Sequence, residues 1–203
     1  ALLKSAKLIF PMLIFSVFFA EPIMTCMYGD IYAQSSIYFV IKNLSGLFYI
    51  IPFYPIILAI GKTNSYANAH MIAAFMIVIA EYVVCKTFDS AVYVAITSEL
   101  CNLVKIWLLL RVIANYAHMK ITELLPPKPM TILIMISALA SLPPFLLLDF
   151  LNMNKFIVLF VCLGFFLVDY YVLCWICKVT YRDIAGGFLK NKSRLNAVVK
   201  ILP

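Results

Sequence analysis

Residues 35–62 read SSIYFVIKNLSGLFYIIPFYPIILAIGK, an oily run that carries Lys42, Asn43 and Ser45 near one end and Pro52 and Pro55 further on. The 26 residues before Gly61 would reach about 39 Å as a helix, enough to cross a hydrocarbon layer of about 30 Å with tilt or a kink. The stretch therefore predicts a transmembrane helix. An ammonium within such a helix costs roughly 2.5–3.5 kcal/mol on insertion scales, so Lys42 is expected to face protein or a wet cavity rather than acyl chains. Lys42, Ser45, Gly46, Tyr49 and Phe53 recur at steps of three and four, which gathers charge, small residues and an aromatic ring on one side.

Five further apolar runs accompany it, at residues 8–28, 71–85, 91–113, 130–151 and 156–177. With 65% hydrophobic residues, 12% charged residues and a mean hydropathy of +1.03, the chain lies well outside the composition of a soluble domain. The expected fold is all-α, a polytopic membrane bundle of six transmembrane helices. Residues 1–125 would form a four-helix part, 126–177 two additional helices, and 178–203 a basic tail that is either an interfacial helix or a solvated segment. The polar stretch GKTNSYANAH is expected to be a loop, and PPKP at residues 126–129 a link.

The net charge of +7 does not point to nucleic acid, because the basic residues stand at the ends of oily runs instead of forming a basic face interleaved with aromatics. Counted by side of the membrane, twelve of the sixteen Lys and Arg fall on one side and two on the other, with Lys42 and Lys105 inside spans. That asymmetry predicts cytoplasmic termini at both ends. Most of the six cysteines lie in oily runs, so Cys174 and Cys177, although spaced CxxC, read as packing residues. No HExxH, GxSxG or Gly-rich phosphate loop occurs, no cofactor or metal site is expected, and the chain is not read as an enzyme. His70 and His118 fall at expected loop edges, and Glu81 and Asp149 near span ends.

Polar residues inside spans are the candidate site. Ser98, Asn102 and Lys105 follow one another at i, i+4 and i+7 on the fourth span, and Glu99 stands about 100° round from Ser98. Two readings stay open: polar groups that hold helices together, or a hydrophilic cavity in which Lys42 and Lys105 hold an anionic group, with Tyr49, Glu99 and Asn102 beside them. Glu21 precedes Pro22, whose missing amide hydrogen loosens the preceding turn; this suits a proton or sodium site, or a kink whose carboxylate pairs with a lysine. Asp169, inside the sixth span, reads either as an ion-coupling group or as a structural acid.

The order of these features resembles a known family. An oily helix ends in YGDIYAQSS at residues 28–36, a long run closes on LAIGKTN at residues 58–64, and a short helix and a helix with interior polar residues follow. A Pro-rich link and a final helix pair complete a layout similar to the C-terminal part of bacterial polysaccharide flippases. These are the O-antigen and capsule exporters of the multidrug, oligosaccharidyl-lipid and polysaccharide exporter superfamily. The resemblance implies that the six spans are the ninth to fourteenth helices of a two-lobed exporter: most of its second lobe plus two extra helices. The N-terminal lobe of the same polypeptide would be missing. It implies alternating-access flipping of an undecaprenyl-diphosphate-linked oligosaccharide in the bacterial inner membrane, to which the ion-site reading of Glu21 adds coupling to a proton or sodium gradient. Lys42, Lys105 and Glu99 are proposed from their placement here and not carried over from the family. A drug or cation exporter of the same superfamily, or a membrane enzyme or scaffold subunit acting on lipid intermediates, are the competing expectations.

Overall fold

A computed structural model of the chain describes residues 2–49, 51, 53–125, 127–148, 154–177 and 179. Residues 180–203, where the sequence places the basic tail, lie outside the described part, as does Asp149. Every regular element among the described residues is helical. In chain order these are α1 (Leu2–Phe18), α2 (Ala20–Tyr28), a 3-10 helix (Asp30–Ser35), α3 (Ser36–Gly46), α4 (Phe53–Ala59), α5 (Thr63–Thr87), α6 (Ala91–Ala117), α7 (Ile121–Leu124), α8 (Pro127–Leu147) and α9 (Lys155–Ile176).

Four of these, α5, α6, α8 and α9, are long and apolar enough to cross a membrane, and a fifth crossing is reached if α1 and α2 count as one bent span. Two of the six expected spans are not single continuous helices. The first run bends by 78° between α1 and α2. Pro22 cannot return an amide hydrogen to the Phe18 carbonyl, so the helix loses its tie at the residue where it turns. The second run is not one helix: α3 stops at Gly46 and α4 resumes at Phe53. Pro52 and Pro55 have no N–H for the carbonyls of Phe48 and Ile51, and the amides of Leu47, Phe48 and Tyr49 reach back only three residues.

Two expected boundaries also move. GKTNSYANAH was expected as a loop, but α5 begins at Thr63 and runs through it. PPKP is not a free link either, because α8 starts at Pro127, where a first-turn proline has no amide to satisfy. The helix then continues through Pro143 and Pro144.

The helices form two groups joined by α3. In one, α1, α8 and α9 close around Phe15, Phe19, Ile136, Ala140, Cys162 and Phe166. The Phe15 and Phe19 rings stack at 4.4 Å, and Phe166 lies 5.0 Å from Phe15. In the other, α4, α5 and α6 close around Phe53, Ile57, Ala69, Ile106 and Leu110. α3 packs on α1 and on α6. Gly46 permits the first of these contacts, since an added Cβ would stand 3.3 Å from a Leu13 methyl. Outside the groups, Phe75, Val78 and Ile79 of α5 are exposed, as expected for a helix whose solvent is lipid.

Ser137, Ala140, Ser141 and Pro144 form a fully or nearly buried stripe of small side chains along α8, at spacings of three and four. Both serines donate to the carbonyl four residues back, at 2.7 and 2.9 Å, so no hydroxyl is stranded. With no hydrophobic force between helices in lipid, such close backbone approach and dispersion contact hold the group together. Ala140→Leu should therefore destabilise the purified protein by about 1–3 kcal/mol through overpacking. A lowered melting temperature in detergent checks this, against an unchanged one for a leucine at the exposed Met135.

Candidate functional site

α6 spans 27 residues, about 40 Å at 1.5 Å per residue, with its midpoint near Val104. Glu99, Asn102 and Lys105 all lie within about 8 Å of that midpoint along the axis, so they stand at the centre of the helix and not at a headgroup end. The regular 3.6-residue turn of an uninterrupted helix keeps the three on one side.

α3 brings the fourth member. The Lys42 ammonium donates to Oε1 of Glu99 at 2.6 Å. Asn102 donates from Nδ2 to Oε2 of the same carboxylate at 3.4 Å, and Lys105 donates from Nζ to Oδ1 of Asn102 at 3.0 Å. Both contacts agree on one orientation of the amide, with its NH2 toward the anion and its carbonyl toward the second cation. The Ser45 hydroxyl, buried, donates to the Lys42 carbonyl at 2.8 Å and sits beside Glu99. The chain of contacts thus runs ammonium, carboxylate, amide, ammonium, with a net formal charge of one positive.

Tyr49 completes the group from the interrupted segment between α3 and α4: Lys105 Nζ lies 5.9 Å from its ring centre, at the outer limit of a cation–π contact. Irregular backbone at membrane depth is tolerated where it is covered by protein or lines a cavity, and here it stands next to the charged cluster. The polar stripes of the second and fourth oily runs therefore face each other. The pair is lopsided: the Lys42 side chain is 66% exposed and that of Glu99 13%. Glu99 is held inside the bundle, while Lys42 reaches it from an open side.

The sequence-based reading missed His70. It expected a loop edge, whereas His70 lies on α5, its ring tilted at 46° against that of Tyr66 with 4.4 Å between ring centres, and within electrostatic reach of Lys105. The i, i+4 spacing of Tyr66 and His70 was the available signal. Glu81 also falls within α5, close enough to Cys101 of α6 to act on it electrostatically.

Two candidates stand apart from this cluster. Glu21 opens α2 at the bend and lines a different cavity, with Asp30 and Lys155, which form an ion pair. Asp169 is half-buried on α9, which packs with α1, α2 and α8. The structure does not bring either residue to Lys42 and Lys105.

Comparison with models of known protein families, with curated proteins and with solved structures gives no match. The chain is a helical membrane protein by its own features: long apolar helices with exposed apolar faces and a charged cluster at mid-span.

Proposed function

We propose that the chain is part of a carrier that moves lipid-linked oligosaccharide across the bacterial inner membrane by alternating access, with both termini cytoplasmic. In this reading it supplies most of the second lobe and the two extra helices, and a first lobe of the same polypeptide supplies the facing wall. It is a carrier and not an enzyme. The observation that carries the reading is the Lys42 ammonium: paired on one side with Glu99, 66% exposed on the other, and joined to Lys105 through Asn102 at the centre of a membrane helix. A charge there needs a polar occupant on its open side, and a diphosphate leaving water needs compensating ammonium groups. The seam between the two helix groups is where α3 would slide or tilt against α6, and the interrupted backbone after Gly46 gives it freedom to do so.

Lys42 and Lys105 hold the diphosphate, Tyr49 offers a ring face to the adjoining sugar, and Glu99 and Asn102 keep the ammonium groups in place while the cavity is empty. Glu21 and Asp169 remain the candidate ion-coupling carboxylates. The test is binding of an undecaprenyl-diphosphate-linked oligosaccharide to the purified full-length protein in lipid nanodiscs. Lys105→Gln should weaken it about tenfold, the loss of one charge-assisted hydrogen bond. Equal binding by Lys105→Gln and by the double variant Lys42→Gln/Lys105→Gln would overturn the assignment.

A second reading is favoured by Glu99 and by the carboxylates of Glu21 and Asp30: export of lipophilic cations. Under that reading a cationic dye would bind the full-length protein, lose binding on Glu99→Gln, and keep it on Lys105→Gln.

A further inference from the structure

The proposed carriage gives the charged cavity at the bend of α1 and α2 no cargo and at most a coupling ion at Glu21. Its volume is about 1110 Å³, and it opens between the end of α1, the start of α2, α3, the end of α8 and the start of α9. Helix ends meet here, with α1 stopping at Phe18, α8 at Leu147 and α9 starting at Lys155, so the cavity sits at headgroup level rather than at the midplane.

Its lining divides in two. Phe18, Phe145 and Val158 give an apolar wall, and the Phe18 and Phe145 rings meet edge to face at 6.0 Å. Glu21, Thr25, Asp30, Ser36 and Lys155 give a polar rim of two carboxylates, two hydroxyls and one ammonium. Lys155 pairs with Asp30 across 125 residues of sequence, which ties the 3-10 helix to the start of α9. Both side chains remain open to a ligand, 56% and 77% exposed. An ammonium has three donors, so two of those on Lys155 lie beyond this pair. The Thr25 hydroxyl donates to the Pro22 carbonyl at 3.2 Å, which leaves its oxygen lone pairs as acceptors. Among the described residues Glu21 has neither a hydrogen-bond nor an ion-pair partner, although it lines the same cavity.

We propose that this cavity binds a phospholipid whose headgroup carries a primary ammonium and a phosphodiester. The ammonium donates to Glu21, Asp30 and the Thr25 oxygen; the phosphodiester accepts from Lys155; the first carbons of the acyl chains lie along Phe18, Phe145 and Val158. The charge pattern selects among lipids. An anionic headgroup satisfies Lys155 but sets a further negative charge against two carboxylates. A quaternary ammonium has no N–H to give them. A primary-amine headgroup matches both signs. The proposal rests on the membrane embedding of the helices and not on the carrier reading.

The experiment is native mass spectrometry of the purified full-length protein with equimolar phosphatidylethanolamine, phosphatidylcholine and phosphatidylglycerol, read without any oligosaccharide cargo. Phosphatidylethanolamine should be retained about tenfold over the other two, and Glu21→Gln should remove about tenfold of that retention at an unchanged melting temperature. Thr25→Val, which keeps the helix and the carboxylate, should lower retention by a smaller factor, so that the assignment survives a poorly folding Glu21 variant. Soluble phosphoethanolamine should compete only weakly, because it lacks the chains that meet the apolar wall. Equal retention of the three lipids would overturn the proposal, as would Glu21→Gln and Thr25→Val both leaving phosphatidylethanolamine bound. Competition by phosphoethanolamine as tight as the lipid itself would assign the cavity to a free headgroup and overturn the lipid.

Discussion

Under the proposed carrier role, reversing both cations of the central cluster, as K42E/K105E in the full-length protein, will reduce cargo movement by about a hundredfold or more. Each ammonium would contribute a charge-assisted hydrogen bond worth roughly 1.5–3 kcal/mol to a bound diphosphate, and two such losses combine to that factor. Reversal goes further than removal, because Glu99 would then stand with two new carboxylates at the centre of α6. The measurement is surface polysaccharide in cells whose own transporter gene is deleted, alongside the amount of protein in the membrane. Undiminished polysaccharide at normal expression would remove the cluster from any carrier role.

Loss of folding is the competing cause of such a result, and the Lys42–Glu99 pair gives the control. K42E alone should destabilise by about 1–3 kcal/mol, less than for a fully buried pair because Lys42 is open on one side. The swap K42E/E99K restores an ion pair across α3 and α6 and keeps the net charge of the cluster. It should return most of the lost stability, since neighbouring charges do not act additively. Stability regained by the swap while movement stays lost, because position 42 then turns a carboxylate to the diphosphate, separates the binding role of Lys42 from folding.

How much of this could be read from the sequence depends on whether a property is local. Asn102 and Lys105 share one uninterrupted helix with Glu99, so period alone groups them, and the structure keeps them joined by hydrogen bonds. The partnership of Lys42 with Glu99 spans 57 residues and two elements. Only the cost of an ammonium in lipid hinted that some partner must exist. The continuity of residues 35–62 was misjudged because a length argument counts apolar residues and not hydrogen bonds. Pro52 and Pro55 delete two of those bonds within one turn. GKTNSYANAH was misjudged for the opposite reason: its composition is polar, but Tyr66, Ala69 and His70 recur at helical spacing, and Ala69 is buried against α6.

That interruption yields the second large effect. Pro52→Ala together with Pro55→Ala would return amide donors to the carbonyls of Phe48 and Ile51. Each proline removed from a helix interior is worth up to about 3 kcal/mol, so the double variant gains as much as roughly 6 kcal/mol toward a continuous helix over residues 36–59. Continuity has a geometric consequence. The turn amides of Leu47, Phe48 and Tyr49, now bonded three residues back, would shift to partners four residues back. Each such change rotates the side chains that follow, and Tyr49 would leave its place 5.9 Å from Lys105. The expected result is a protein that melts at a higher temperature, shows slower amide exchange at residues 47–51, and moves its cargo at least tenfold more slowly. Stability and function then part in the direction expected when an interrupted segment serves the site. If the double variant is more stable and fully active, the interruption is only a tolerated defect in a membrane helix, and α3 has no need to move independently of α4.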